Sequence, residues 1–100
     1  LVRPTVPAYC EHNAHMYYML MPSLEQRSRF IAALRKNGVQ SVFHYIPLHS
    51  SPAGQSHGRA HGELCVTNEI SDRLVRIPLW LGVEDHMDAI FEAADKALMG

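Results

Sequence analysis

His15-Met-Tyr-Tyr-Met-Leu-Met-Pro-Ser-Leu-Glu-Gln-Arg-Ser-Arg-Phe-Ile-Ala-Ala-Leu-Arg-Lys-Asn-Gly38 contains the change of period that decides the fold class. Up to Met21 the residues are continuously apolar or aromatic, and Pro22 closes the run, a pattern that suits a short strand buried on both faces. Ser23 then precedes Gln26 by three residues, the spacing of a capping box in which each side chain satisfies a free amide of the first helical turn. Leu24, Phe30, Ile31 and Leu34 form one apolar stripe of the helix that follows. Arg27, Arg29, Arg35 and Lys36 are expected in water, and Asn37-Gly38 provides a left-handed stop. A strand leading straight into an amphipathic helix requires a sheet on which that helix can bury its stripe.

Downstream, Val39 to Ile46 reads as a second strand, rich in the β-formers Val42, Phe43, Tyr45 and Ile46 and ended by Pro47, which has no N–H to give a ladder. Residues 50–62 have no periodicity and many small or turn-forming residues, the marks of a long loop. Thr67 is placed to cap a short helix bearing Ile70 and Leu74, and Arg76 to Trp80 reads as a brief strand. The last helix carries Met87, Ile90, Phe91, Ala94 and Leu98 on one face, with Glu84 and Asp85 at its positive amino end. The expected class is α+β, a small sheet with helices packed over one face, built from residues 15–100. Residues 1–14, opening Leu1-Val-Arg-Pro-Thr-Val-Pro7, read as a linker from an upstream domain.

Composition narrows the function. At 100 residues with 47% hydrophobic content, the chain can build one core. A net charge of -1 gives no electrostatic reason to bind nucleic acid or an anionic membrane. No apolar run approaches the ~20 residues of a membrane span. Cys10 and Cys65, far apart and without a secretory context, read as reduced thiols, which leads us to expect a cytoplasmic protein.

Six of the seven histidines fall in pairs: His12 with His15, His44 with His49, and His57 with His61. The His57-x3-His61 spacing would align two imidazoles on a helix, but Gly58 and Gly62 argue against a helix there, and no nearby ligand set is complete; no metal is expected. His44-Tyr-Ile-Pro-Leu-His49 differs, because it lies where a strand leaves the sheet for a long loop, the place where fixed side chains face ligands. Asn13, His15, Tyr17 and Tyr18 read mainly as packing. The chain has no nucleophile elbow, no Gly-rich phosphate loop and no marked carboxylate pair, and both lysines, Lys36 and Lys96, fall on wet helix faces. No catalytic residue is assigned.

Three segments, Asn13-Ala-His-Met-Tyr-Tyr18, His44-Tyr-Ile-Pro-Leu-His-Ser-Ser-Pro-Ala-Gly54 and Arg73-Leu-Val-Arg-Ile-Pro-Leu-Trp80, resemble in order the last hundred residues of DegT/StrS-type sugar-nucleotide aminotransferases. The resemblance implies the small carboxy-terminal domain of a type I aminotransferase. In that family a large amino-terminal domain holds pyridoxal phosphate and its lysine, and the small domain walls the cleft over a nucleotide-linked 4-keto sugar. It further implies glutamate as amino donor, a homodimer, and substrate-binding roles for His44, Tyr45 and His49. The sequence departs from the family at His57, where an aromatic residue is expected. The other reading of the residues is a stand-alone small-ligand or metal-binding module.

Overall fold

The computed structural model describes residues 1–100 and has the expected α+β class. In chain order the elements are β1 (Tyr17–Leu20), α1 (Leu24–Lys36), α2 (Pro52–His57), α3 (Cys65–Arg73), β2 (Leu74–Ile77) and α4 (Met87–Met99), with single 3-10 turns at Leu48–Ser50 and Val83–His86. β1 and β2 pair antiparallel, Tyr17 opposite Ile77 and Leu20 opposite Leu74. Isolated bridges extend the sheet on both sides, Val2 against Leu20 and Val42 against Arg76.

α1 forms where the sequence requires it. Ser23 Oγ accepts the Gln26 N–H at 3.2 Å, and after Asn37 the chain turns through Gly38 at φ 77°. Its stripe and that of α4 pack against each other and share one core with the inward side chains of the sheet. Phe30, Leu34, Val75, Met19, Met21, Val39, Ile90 and Ala93 are the buried apolar residues, with Ile31, Ile77, Ala94 and Ala97 packed around them. On α4 the buried edge is Ile90 and Ala93, whereas Phe91 and Leu98 remain about half exposed.

Only nine residues are buried, and the radius of gyration is 15.6 Å against roughly 13 Å for a compact 100-residue domain. Leu79, Trp80 and Leu81 are all exposed, Leu81 almost completely. Apolar surface on this scale is the mark of a face that meets other protein.

Four expectations are corrected. The strand over 39–46 is reduced to one bridge, in which Val42 and Arg76 exchange both backbone hydrogen bonds. The next bonded pair on one side would need an N–H from Pro78, which has none. On the other side it would need the Leu74 N–H, which already closes α3 on the Ile70 carbonyl. The expected loop over 50–62 holds a helical segment, α2, because Ser51 Oγ caps the Gly54 N–H at 3.0 Å and Pro52 occupies the first turn. α3 starts at Cys65 rather than being capped by Thr67. Its cap position is Leu64, in left-handed backbone at φ 45°. Arg27 is half-buried rather than wet, since it lies within the stripe that runs Leu24, Ile31, Leu34 along one side of α1.

Candidate functional site

The segment leaving the Val42 bridge carries the candidate residues across the first turn of α1 and the end of α3. Phe43 lies under the Arg27 guanidinium, 5.1 Å from carbon to ring centre, and Tyr45 lies 5.8 Å from the Arg76 guanidinium. Both are cation–π distances, and they hold two exposed aromatic rings in fixed places. Arg27 Nη1 donates to the Ser71 carbonyl at 2.9 Å, tying α1 to α3. Together these elements bound a groove of about 410 Å³ whose walls include Leu24, Arg27, Tyr45, Pro47, Asn68 and Asp72.

Next to it, α2 and the turn before α3 enclose a wider hollow of about 950 Å³, bordered by His49, Gly54, His57, Arg59 and His61. His49 and Asn68 form the partition between the two spaces. His49 Nε2 lies in hydrogen-bond contact with Asn68 Oδ1 at 2.7 Å, and Asn68 Nδ2 donates to the Glu63 carbonyl at 3.0 Å.

The three residues expected at the substrate therefore have different placements. Tyr45 lines the groove and His49 the hollow. His44 borders neither. It is half-buried, its ring stands edge-on to Tyr45 at 4.6 Å between centres, and its Nδ1 is buried without a hydrogen-bond partner. Such an orphan is costly, of the order of 1–3 kcal/mol, and calls for a partner. Arg27 and Asn68 were not foreseen. Arg27 has a signal in the sequence, a basic residue within an apolar stripe; Asn68 has none, because its role depends on the turn at Leu64.

Neither lysine is suited to carrying a cofactor carbonyl. Lys36 is exposed at the end of α1. Lys96 Nζ donates to Glu92 Oε1 at 2.6 Å, and that hydrogen bond together with the ammonium charge holds the Glu92 carboxyl below its usual range. A lysine that is hydrated and charged is a poor nucleophile.

Residues 2–94 match the profile of the family described as DegT/DnrJ/EryC1/StrS aminotransferases. The chain belongs to that family. An uncharacterized protein of Methanocaldococcus jannaschii is 26% identical over 90 residues, which cover 85% of this chain and 23% of that protein. Among solved structures, Spr1654 of Streptococcus pneumoniae, described as a sugar aminotransferase in its PMP form, superimposes with a TM-score of 0.55. It is 24% identical and covers 83% of this chain and 23% of its own, a likeness of fold. The chain spans about a quarter of the length of both relatives, and the family's aminotransferase fold accounts for the sheet and helices found in this segment.

Proposed function

We propose that this chain is the carboxy-terminal domain of a pyridoxal-phosphate-dependent sugar-nucleotide aminotransferase, in which it forms one wall of the substrate cleft. The observation that supports this best is the groove and hollow at the end of the His44–His49 segment, in a chain of an aminotransferase family. When bound, the cofactor supplies the electron sink for amino-group transfer. Its lysine and phosphate cradle belong to the rest of the protein, since Lys36 and Lys96 do not fit it. The substrate class is a dTDP-linked 4-keto-6-deoxy sugar, with glutamate as donor, a homodimer as the working unit, and the cytoplasm as its place. The product that fits the three resembling segments is dTDP-4-amino-4,6-dideoxygalactose, a precursor of lipopolysaccharide and other surface polysaccharides.

In this reading the chain's residues orient the sugar and exclude water. Tyr45, braced by Arg76, presents its hydroxyl and ring edge to the groove, and His49 presents its free ring nitrogen to the hollow. His44 stands edge-on to Tyr45 and holds that ring in place. The isolated chain is inactive. Mixed with pyridoxal phosphate it stays colourless, and borohydride leaves no pyridoxyl group on Lys36 or Lys96 above the level of an unstructured control peptide. A stoichiometric adduct at either lysine would overturn this assignment.

In the full-length protein, His44→Ala is expected to lower kcat/KM by roughly ten- to a hundredfold, or about 1–3 kcal/mol, because the Tyr45 ring loses the neighbour that holds it at the groove. The control is His86→Ala, expected to change turnover by less than about threefold, since this exposed histidine borders neither the groove nor the hollow. If His44→Ala lowers only the thermal midpoint and leaves turnover of the folded fraction intact, His44 is a packing residue with no part in the cleft.

A further inference from the structure

The partition between groove and hollow assigns a proton. A backbone carbonyl only accepts, so the amide nitrogen of Asn68 faces the Glu63 carbonyl and Oδ1 faces His49. An amide oxygen likewise only accepts. His49 Nε2 therefore carries a hydrogen, and in the neutral ring Nδ1 is left as a lone pair. The hydrogen bond to Asn68 is the only one His49 makes within the chain, and its ring borders the hollow.

Asn68 is itself tightly placed. Its backbone N–H donates to the Leu64 carbonyl at 3.1 Å while its side chain holds the carbonyl of Glu63, so both ends of the Glu63–Leu64 peptide region are fastened to one residue. Leu64 adopts φ 45°, a left-handed conformation that an unbranched-Cβ side chain enters at a cost of roughly 1–2 kcal/mol. That turn brings the first turn of α3 under the imidazole. A sequence reading in which Thr67 caps the helix has no such contact, because Asn68 would then lie a turn nearer the helix start and away from Glu63.

We infer that Asn68 is a positioning residue, which fixes His49 in its Nε2–H tautomer so that Nδ1 accepts a hydrogen bond from a sugar hydroxyl in the hollow. The inference rests on the proposed substrate-facing role of His49. Asn68 lines the groove and not the hollow, so toward the hollow it acts only through the ring it holds.

The test uses the full-length protein with ring-15N histidine, at alkaline pH where the imidazoles are neutral. His49→Ala identifies the His49 signals. In the unmodified protein they show a protonated Nε2 and a bare Nδ1. In Asn68→Leu, an apolar residue of similar size, the pattern gives way to a tautomer mixture, and Asn68→Asp, which keeps an acceptor oxygen toward Nε2, restores it. In parallel, with glutamate and a dTDP-linked 4-keto-6-deoxyhexose as probe, Asn68→Leu raises the sugar KM roughly tenfold with kcat within about twofold, and Asn68→Asp brings KM back to within about threefold. Asn68→Ala gives the same readout where the leucine variant folds poorly. An unchanged tautomer in Asn68→Leu and Asn68→Ala overturns the inference, as does an unchanged KM in both alongside a raised KM in His49→Ala. If His49→Ala itself leaves KM unchanged, the substrate-facing reading of His49 fails first.

Discussion

Gly54→Ala is expected to collapse the wall of the hollow and, on the proposed function, to lower kcat/KM of the full-length protein by at least about a hundredfold. A Cβ at Gly54 would stand 1.6 Å from the Leu48 carbonyl oxygen and 2.6 Å from its carbon. These are backbone atoms, so the clash cannot be relieved by a rotamer change; the Leu48 peptide must move. That peptide precedes His49, and its carbonyl accepts both the Ser51 N–H at 3.2 Å and the Ser51 hydroxyl at 2.9 Å, the hydroxyl that also caps α2. Displacing it unseats His49 from Asn68 and α2 from its cap together. Gly38→Ala is the comparison. There the added carbon meets nothing within 4 Å, and only the φ of 77° opposes it, at roughly 1–2 kcal/mol of stability. Kinetics and thermal unfolding of the two variants separate the cases: Gly38→Ala loses stability with turnover of the folded fraction intact. Full turnover in Gly54→Ala would mean that the Leu48–His57 packing has no part in the cleft.

The second large effect lies in the core. Phe30→Ala removes a ring that is 1% exposed and belongs to the same buried cluster as Val75 of the sheet and Ile90 of α4, and it is expected to cost about 3–5 kcal/mol. A whole domain has about 5–15 kcal/mol to lose. With eight apolar residues buried in all, no neighbouring layer exists to close over the cavity. The isolated chain carrying Phe30→Ala should therefore show no cooperative urea transition and be cut rapidly by protease within α1. Leu24→Ala, at a position 46% exposed on the groove, should shift the midpoint by less than about 1 kcal/mol. Equal stability of the two variants would show that the stripe of α1 does not pack as described.

Much of the fold could be read from local signals, since α1 and α4 have matching periodicity and charge and α1 also has a cap and a stop. The second strand failed for a reason outside its own residues. Val42, Phe43, Tyr45 and Ile46 have the preference for a ladder, but Pro78 and the helix-closing Leu74 N–H leave them no partner beyond Arg76. Their rings cover Arg27 and Arg76 instead, which is what shapes the groove. α2 is masked in the sequence by Gly54, by Gly58 at its end and by the absence of an apolar stripe, although Ser51-Pro52 is a helix-opening pair. Of the site, the His44–His49 segment was visible as a strand end entering a loop, and the family resemblance supplied its roles. Asn68 was invisible because a polar residue in the first turn of a short exposed helix has no distinguishing pattern until the Leu64 turn is known.

The pairing of Tyr17 with Ile77 gives the chain a particular tolerance to change. α1, α2, α3 and the whole candidate site are strung between two strands that close on each other. For a flexible loop, doubling the length between such fixed points costs only about 0.6 kcal/mol of closure entropy. Residues inserted around Arg59 to Gly62, outside every helix and strand, would thus leave the sheet almost untouched while reshaping the hollow. Folding and the shape of the hollow can diverge independently in this domain, because the segment that borders the hollow is a bight whose ends are moored elsewhere.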